Sequence, residues 1–245
     1  MNDTVYQITT WILPVLFAVT FHEASHGFVA WRLGDDTARR LGRVTFNPLR
    51  HIDPFGTVVL PAMLLLASGG RMMFGFAKPV PVNFARLRSP RRDMVLVAAA
   101  GPGINLAMAL LAAALLMQLV PGELGENEIG FELLGQILAI RSEPSRWAAL
   151  NLYNAVWINV LLAVFNMLPL PPLDGGRVAV GLLPEVAARP LSRLEPYGFF
   201  IILGLVFLLP LLGGTLGVDL GIMDWLVIAP AAWLSRAIFA LVGAA

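Results

Sequence analysis

Residues 21–27 read FHEASHG and place two histidines and a glutamate inside an apolar run, WILPVLFAVTFHEASHGFVAW. His22 and His26 are four residues apart, so on a helix they share one face and both imidazoles can reach one metal ion. Glu23 is adjacent but rotated away, where it can act on a metal-bound water as general base. The chain holds three histidines and eight glutamates. At those frequencies an H-E-x-x-H match arises by chance on the order of once in a thousand chains. The ordinary alternative is a pair of interior histidines hydrogen-bonded within a helical bundle. It leaves three clustered polar groups unexplained, since ionisable groups are costly in a bilayer and are kept there mostly for function.

A catalytic zinc usually takes three protein ligands and one water. The chain has no cysteine, so disulfides and thiolate ligands are excluded. The best third ligand is Asp174, in NMLPLPPLDGG (166–176) at the end of an apolar run. On its own, an aspartate before Gly175 and Gly176 reads as a turn or helix-cap residue. His51, in RHIDPFG, is the rival ligand, but it sits in a basic stretch that reads as an aqueous loop.

The elements that must position these residues are membrane helices. The 245 residues are 58% hydrophobic and 13% charged, with mean hydropathy +0.75. Soluble domains run about 45–50% apolar and about 25% charged. A net charge of +1 argues against a nucleic-acid partner, which needs a basic face. The first apolar run follows MNDTVYQITT, which has no basic residue, and reads as a retained helix rather than a signal peptide. Runs able to span a bilayer, which takes roughly 20 apolar residues, are 8–31, 93–119, 148–168, 197–212 and 222–243. Residues 55–68 carry Pro61 and are marginal in length.

Eleven of the 17 Lys and Arg lie between Arg32 and Arg92, whereas 120–147 carries Glu123, Glu126, Glu128, Glu132 and Glu143 against Arg141 and Arg146. By the positive-inside rule, 32–92 faces the cytoplasm and 120–147 the outside. This makes 55–68 re-entrant or interfacial. It puts the N-terminus outside, gives five spans, and brings His26 and Asp174 to the same membrane side. A full crossing at 55–68 would separate them. Two stretches, GRVTFNP (42–48) and FAKPVPVNF (76–84), look extended. Prolines at 79 and 81 suit an edge strand, which could pair with an extended peptide by strand addition.

FHEASHG together with N-x-x-P-x-x-P-L-D-G (Asn166, Pro169, Pro172, Leu173, Asp174, Gly175) resembles the site-2 protease family of intramembrane zinc metalloproteases. AAAGPGIN matches that family's Gly-x-x-x-Asn pattern through Gly101 and Asn105, and NPLRHIDPFG and GFAKPVPVNF look like its short bacterial members. The resemblance covers about residues 10–180. It implies an all-α polytopic membrane protein of five to six transmembrane helices, with a three-helix catalytic core, a re-entrant or short helical segment and small membrane-associated β-strands. It further implies one integral-membrane protease domain, with a catalytic core at about 8–180 and a C-terminal helical pair at about 195–245. His22, His26 and Asp174 are then ligands of one Zn2+, and Glu23 is the catalytic glutamate. Asn166 and Asn105 are substrate-binding residues. The partners are a transmembrane protein substrate and the lipid bilayer, in the cell membrane, with the active site toward the cytoplasm. No segment between the core helices is long enough for a PDZ domain. A metal or proton transporter would carry ionisable groups on several helices at staggered depths. Runs 93–119 and 197–212 hold none apart from Asp93 at a boundary. An inactive scaffold would be expected to lack one of His22, Glu23, His26 or Asp174, and all four are present.

Overall fold

The computed structural model describes residues 3–67, 75, 77–120, 129–217 and 220–243. Its helices are α1 (Asp3–Arg32), α2 (Thr37–Arg40), α3 (Leu60–Ala67), α4 (Pro90–Leu119), α5 (Ile129–Ala139), α6 (Glu143–Asn166), α7 (Asp174–Leu182), α8 (Glu185–Ser192), α9 (Gly198–Leu203), α10 (Leu209–Leu216) and α11 (Ala229–Leu241). Five helical stretches are long and apolar enough to cross a membrane: Tyr6–Arg32, Pro90–Leu119, Glu143–Asn166, Glu185–Thr215 and Asp224–Leu241. The protein is a multi-pass, all-helical membrane protein. The turn at Pro54–Val59 and α3 after it fall short of the roughly 20 residues a span requires. Ser68, Arg71, Phe76 and the acidic residues Glu123, Glu126 and Glu128 lie outside the described residues.

Helices α1, α4 and α6 pack on one another and form the core. On α4, Ala109, Ala112, Ala113 and Leu116 line one buried face, against Val156 and Val160 of α6 and Ile238 and Phe239 of α11. Small side chains let the helix backbones approach closely, which is the main source of packing energy where lipid removes the hydrophobic drive. The opposite face of α4 shows Leu110, Leu111, Leu115 and Leu119 outward. Polar groups turn the other way. His22, His26, Asn105, Asn154, Asn159 and Asp174 are all buried, as intramembrane polar groups must be. Near the far end of α1, Asn154 Nδ2 donates to Thr10 O and Oγ1 at 3.1 Å each, and Trp147 Nε1 donates to Thr9 Oγ1 at 3.1 Å. Trp147 and Asn154 thereby tie α6 to α1.

No β-strand forms among the described residues, so the expected small strands are not there. Residues 77–83 are extended but single. Pro79 and Pro81 have no N–H to give a ladder, and Val80 N–H is spent on Glu23 Oε2 at 2.7 Å. The segment is tied down instead by Lys78 N–H to His51 O at 2.9 Å and by Asn83 N–H to Asp35 Oδ2 at 2.6 Å.

Candidate functional site

The site is built where three chain segments meet. His22 and His26 project from α1, Gly101 and Asn105 face them from α4, and Asp174 opens α7. His26 and His22 lie six and ten residues before the end of α1 at Arg32, so at 1.5 Å per residue they sit roughly 9–15 Å inside that end.

The nitrogen His22 Nε2 lies 3.1 Å from His26 Nε2. Asp174 Oδ2 lies 3.2 Å from His22 Nε2 and 3.3 Å from His26 Nε2. Each imidazole spends its other nitrogen elsewhere. His22 Nδ1 donates to Asn105 Oδ1 at 2.6 Å, and His26 Nδ1 donates to Val97 O at 2.7 Å. These partners accept only, which assigns the proton of each neutral ring to Nδ1. Both Nε2 atoms then offer lone pairs to the same point, and Asp174 Oδ2 is buried there with no hydrogen-bond partner. Two imidazole lone pairs and a carboxylate oxygen, which repel one another, converge on one point, as the donors to a metal ion do. Zinc donors at about 2.0–2.2 Å from a tetrahedral centre lie about 3.3–3.6 Å apart. The observed separations are close to that, so the donor set fits a zinc ion.

Local sequence explains the approach. A Cβ on Gly101 would sit 2.5 Å from both His22 Cε1 and His26 Nε2, so only glycine admits the imidazole pair against α4. The next residue, Pro102, has no N–H for Ala98 O, which loosens α4 beside Val97, the carbonyl that takes His26. Irregular chain at 167–173 leads from α6 to Asp174. Gly175 and Gly176 lie within α7, where the helix is pressed so close to that turn that a Cβ on Gly175 would strike Met167 O and one on Gly176 would strike Pro171 N. Asp174 itself is not a cap: Leu173 holds that position, and no side-chain capping bond forms.

Glu23 is half-buried beside the pair, and its Oε1 carries no hydrogen bond among the described residues. A cavity of about 510 Å³ opens over His22 and Glu23, lined also by Phe165, Asn166, Leu173 and Phe199. Asn166 is thus at the cavity, its Nδ2 donating to Leu162 O at 3.0 Å. Asn105 is not among the cavity residues. It is fully buried and donates from Nδ2 to Asn159 Oδ1 at 2.7 Å and Ala18 O at 3.2 Å. Its contacts are those of a support for His22 rather than of a substrate ligand. Asn159, which the sequence reading did not single out, completes that support. His51, the rival ligand, is outside the cluster. Its Nε2 is bonded to Thr45 O at 3.0 Å, and its main chain holds Lys78. Among the described residues, only His22, His26 and Asp174 form a potential metal-binding group.

Residues 10–211 match peptidase family M50. The YwhC protein of Bacillus subtilis, whose name makes it a zinc metalloprotease, is 37% identical over 202 residues, covering 82% of this chain and 80% of its own. Rip2 of Mycobacterium tuberculosis, named likewise, is 31% identical over 211 residues, 86% of this chain and 70% of its own. A shorter match, 29% over 77 residues, joins 31% of this chain to 18% of RasP of Bacillus subtilis, named a regulator of sigma-W protease. No solved structure matches the chain significantly. The chain belongs to peptidase family M50, the site-2 proteases. It is a zinc metalloendopeptidase that works within the membrane.

Proposed function

We propose that His22, His26 and Asp174 hold the zinc, that Glu23 is the general base, and that the substrate is a transmembrane segment of another membrane protein cut near the cytoplasmic face. The carrying observation is the convergence of three donor atoms from α1 and α7 at 3.1, 3.2 and 3.3 Å. The one integral-membrane domain then divides into a catalytic core at about 8–180 and a C-terminal helical pair at about 195–245.

Bound zinc supplies Lewis acidity, lowering the pKa of its water to roughly 7 and polarising the scissile carbonyl. Glu23 takes the proton of the attacking water on Oε1, the oxygen left open, and returns it to the leaving amine. Asn166, on the cavity wall, has a second Nδ2 hydrogen to offer the substrate carbonyl as charge builds on it. Asn105 and Asn159 keep His22 in its Nδ1–H form.

A helical substrate hides its peptide bonds, so it must unwind before one reaches Glu23. The unwound stretch needs polar partners at that depth. Asn166, on the cavity wall, would supply one. By the positive-inside rule, the basic residues between Arg32 and Arg92 favour the cytoplasmic side of a cell membrane for this face.

Zinc content of the detergent-purified protein, wild type beside Asp174→Ala, tests the assignment. Near-stoichiometric zinc that falls sharply in the variant is expected, whereas zinc retained in Asp174→Ala would remove Asp174 from the ligand set.

A further inference from the structure

Arg43 is buried at 7% exposure and forms no ion pair among the described residues. An uncompensated buried cation is costly, so its contacts need a reason. Its Nη2 donates to Lys78 O at 2.6 Å and reaches Pro79 O at 3.5 Å. The Pro79 carbonyl belongs to the same peptide group as Val80 N–H, which donates to Glu23 Oε2 at 2.7 Å. One peptide group is therefore held by a guanidinium on its carbonyl side and by the catalytic carboxylate on its amide side. Prolines at 79 and 81 leave Val80 N–H as the single backbone donor across three residues, so the segment can grip Glu23 at one point only. The Val80 side chain is seated beside Gly27, where a Cβ would lie 3.0 Å from Val80 Cγ1.

We propose that Arg43 is a positioning residue for the hydrolysis. It acts through the Lys78–Val80 backbone to fix Glu23 by one oxygen, Oε2, and leaves Oε1 free for the proton transfer. This rests on Glu23 being the general base. Arg43 touches neither the ligand cluster nor the cavity wall, so its removal loosens the base without unseating the metal or the substrate. Small displacements of a catalytic group cost up to about a hundredfold in rate.

The test uses the full chain in detergent, zinc-loaded, with a fluorogenic single-span membrane peptide carrying a central Gly-Pro break. Arg43→Gln is expected to lower kcat about 10- to 100-fold with KM within about twofold, and to keep wild-type zinc content. Arg43→Lys recovers most of kcat, because an ammonium still donates to the Lys78 carbonyl. Adding Arg43→Gln to Glu23→Gln leaves peptide affinity unchanged. Wild-type or raised kcat in Arg43→Gln beside an inactive Glu23→Gln overturns the role of Arg43 alone, as does a loss carried by KM. Full activity in Glu23→Gln overturns the base assignment and this inference with it. Should Arg43→Gln fail to fold, Val80→Pro beside Val80→Ala decides. Loss of kcat confined to the proline variant supports the clamp, and equal kcat in the two overturns it.

Discussion

Asn105 Oδ1 accepts from His22 Nδ1 at 2.6 Å across 83 residues of chain. The same amide donates to Asn159 at 2.7 Å, so three helices settle which nitrogen of His22 faces the metal position. Outer hydrogen bonds of this kind are worth about 10- to 100-fold in metal affinity. Asn105→Ala should therefore weaken zinc binding by that factor, read by competition with a chelator. Asn159→Ala should weaken it less, because Asn105 keeps its bond to Ala18 O.

Gly101→Ala should abolish zinc binding and activity. Its Cβ would lie 2.5 Å from both imidazoles, too close for them to keep their places. Alanine is otherwise the better helix residue by about 1 kcal/mol, so loss of function with the helix intact is the signature. Metal content and circular dichroism of the same preparation check both halves.

Gly175→Ala should destabilise the fold by about 1–3 kcal/mol, as overpacking does, because its Cβ would run into Met167 O. Backbone cannot rotate away as a side chain can. A lowered thermal midpoint measured with zinc saturating separates this from loss of metal.

Acid should release the 77–83 segment from its anchor. Burial would raise the Asp35 carboxyl, but the Thr37 hydroxyl and the backbone N–H groups of Asn83 and Thr37 outweigh it and hold Asp35 below its ordinary value. A carboxyl depressed in the folded state stabilises fully above its unfolded pKa of about 3.9 and loses that contribution as pH falls through the folded value. The midpoint advantage of wild type over Asp35→Asn should be constant near neutrality and shrink below about pH 4. An advantage that stays level down to pH 3 would count against the ionised Asp35 as the anchor.

Substrate choice should follow backbone fragility. A single-span peptide with Gly-Pro near the cut is expected to be cleaved at least about tenfold faster than an unbroken poly-Leu span, since proline already costs a helix about 3 kcal/mol. Relative kcat/KM on the two peptides reads this directly.

The convergence of His22, His26 and Asp174 was legible in the sequence for two separate reasons. His22 and His26 share a helix face by spacing alone, and the distribution of basic residues brought Asp174 to their side of the membrane. That Asn105 bonds His22 instead of lining the cavity was not legible. Spacing on α4 cannot say whether an amide faces the cavity or a neighbouring helix, and Asn159 in NAVWINV carries no local signal. The extended reading of 77–83 was right about the backbone and wrong about a sheet. Its one free donor between prolines finds Glu23, a contact between residues 57 positions apart. Five spans were readable because hydropathy is a sum over many residues. The clash-limited glycines were not, because they depend on single interatomic distances.

Asp174 and Glu23 are the two carboxylates of the site, and a metal ion there takes the imidazoles in their neutral form, with the proton on Nδ1. Ionised, they would bring two negative charges to the site, Asp174 buried and Glu23 at the cavity. A divalent ion cancels them, whereas a monovalent or trivalent ion leaves one charge uncompensated, at several kcal/mol in such surroundings. With His22, His26 and Asp174 as the proposed ligands and Glu23 beside them, the charge of the site would match a divalent ion. The loaded centre would then be electroneutral and need no counter-ion from solvent.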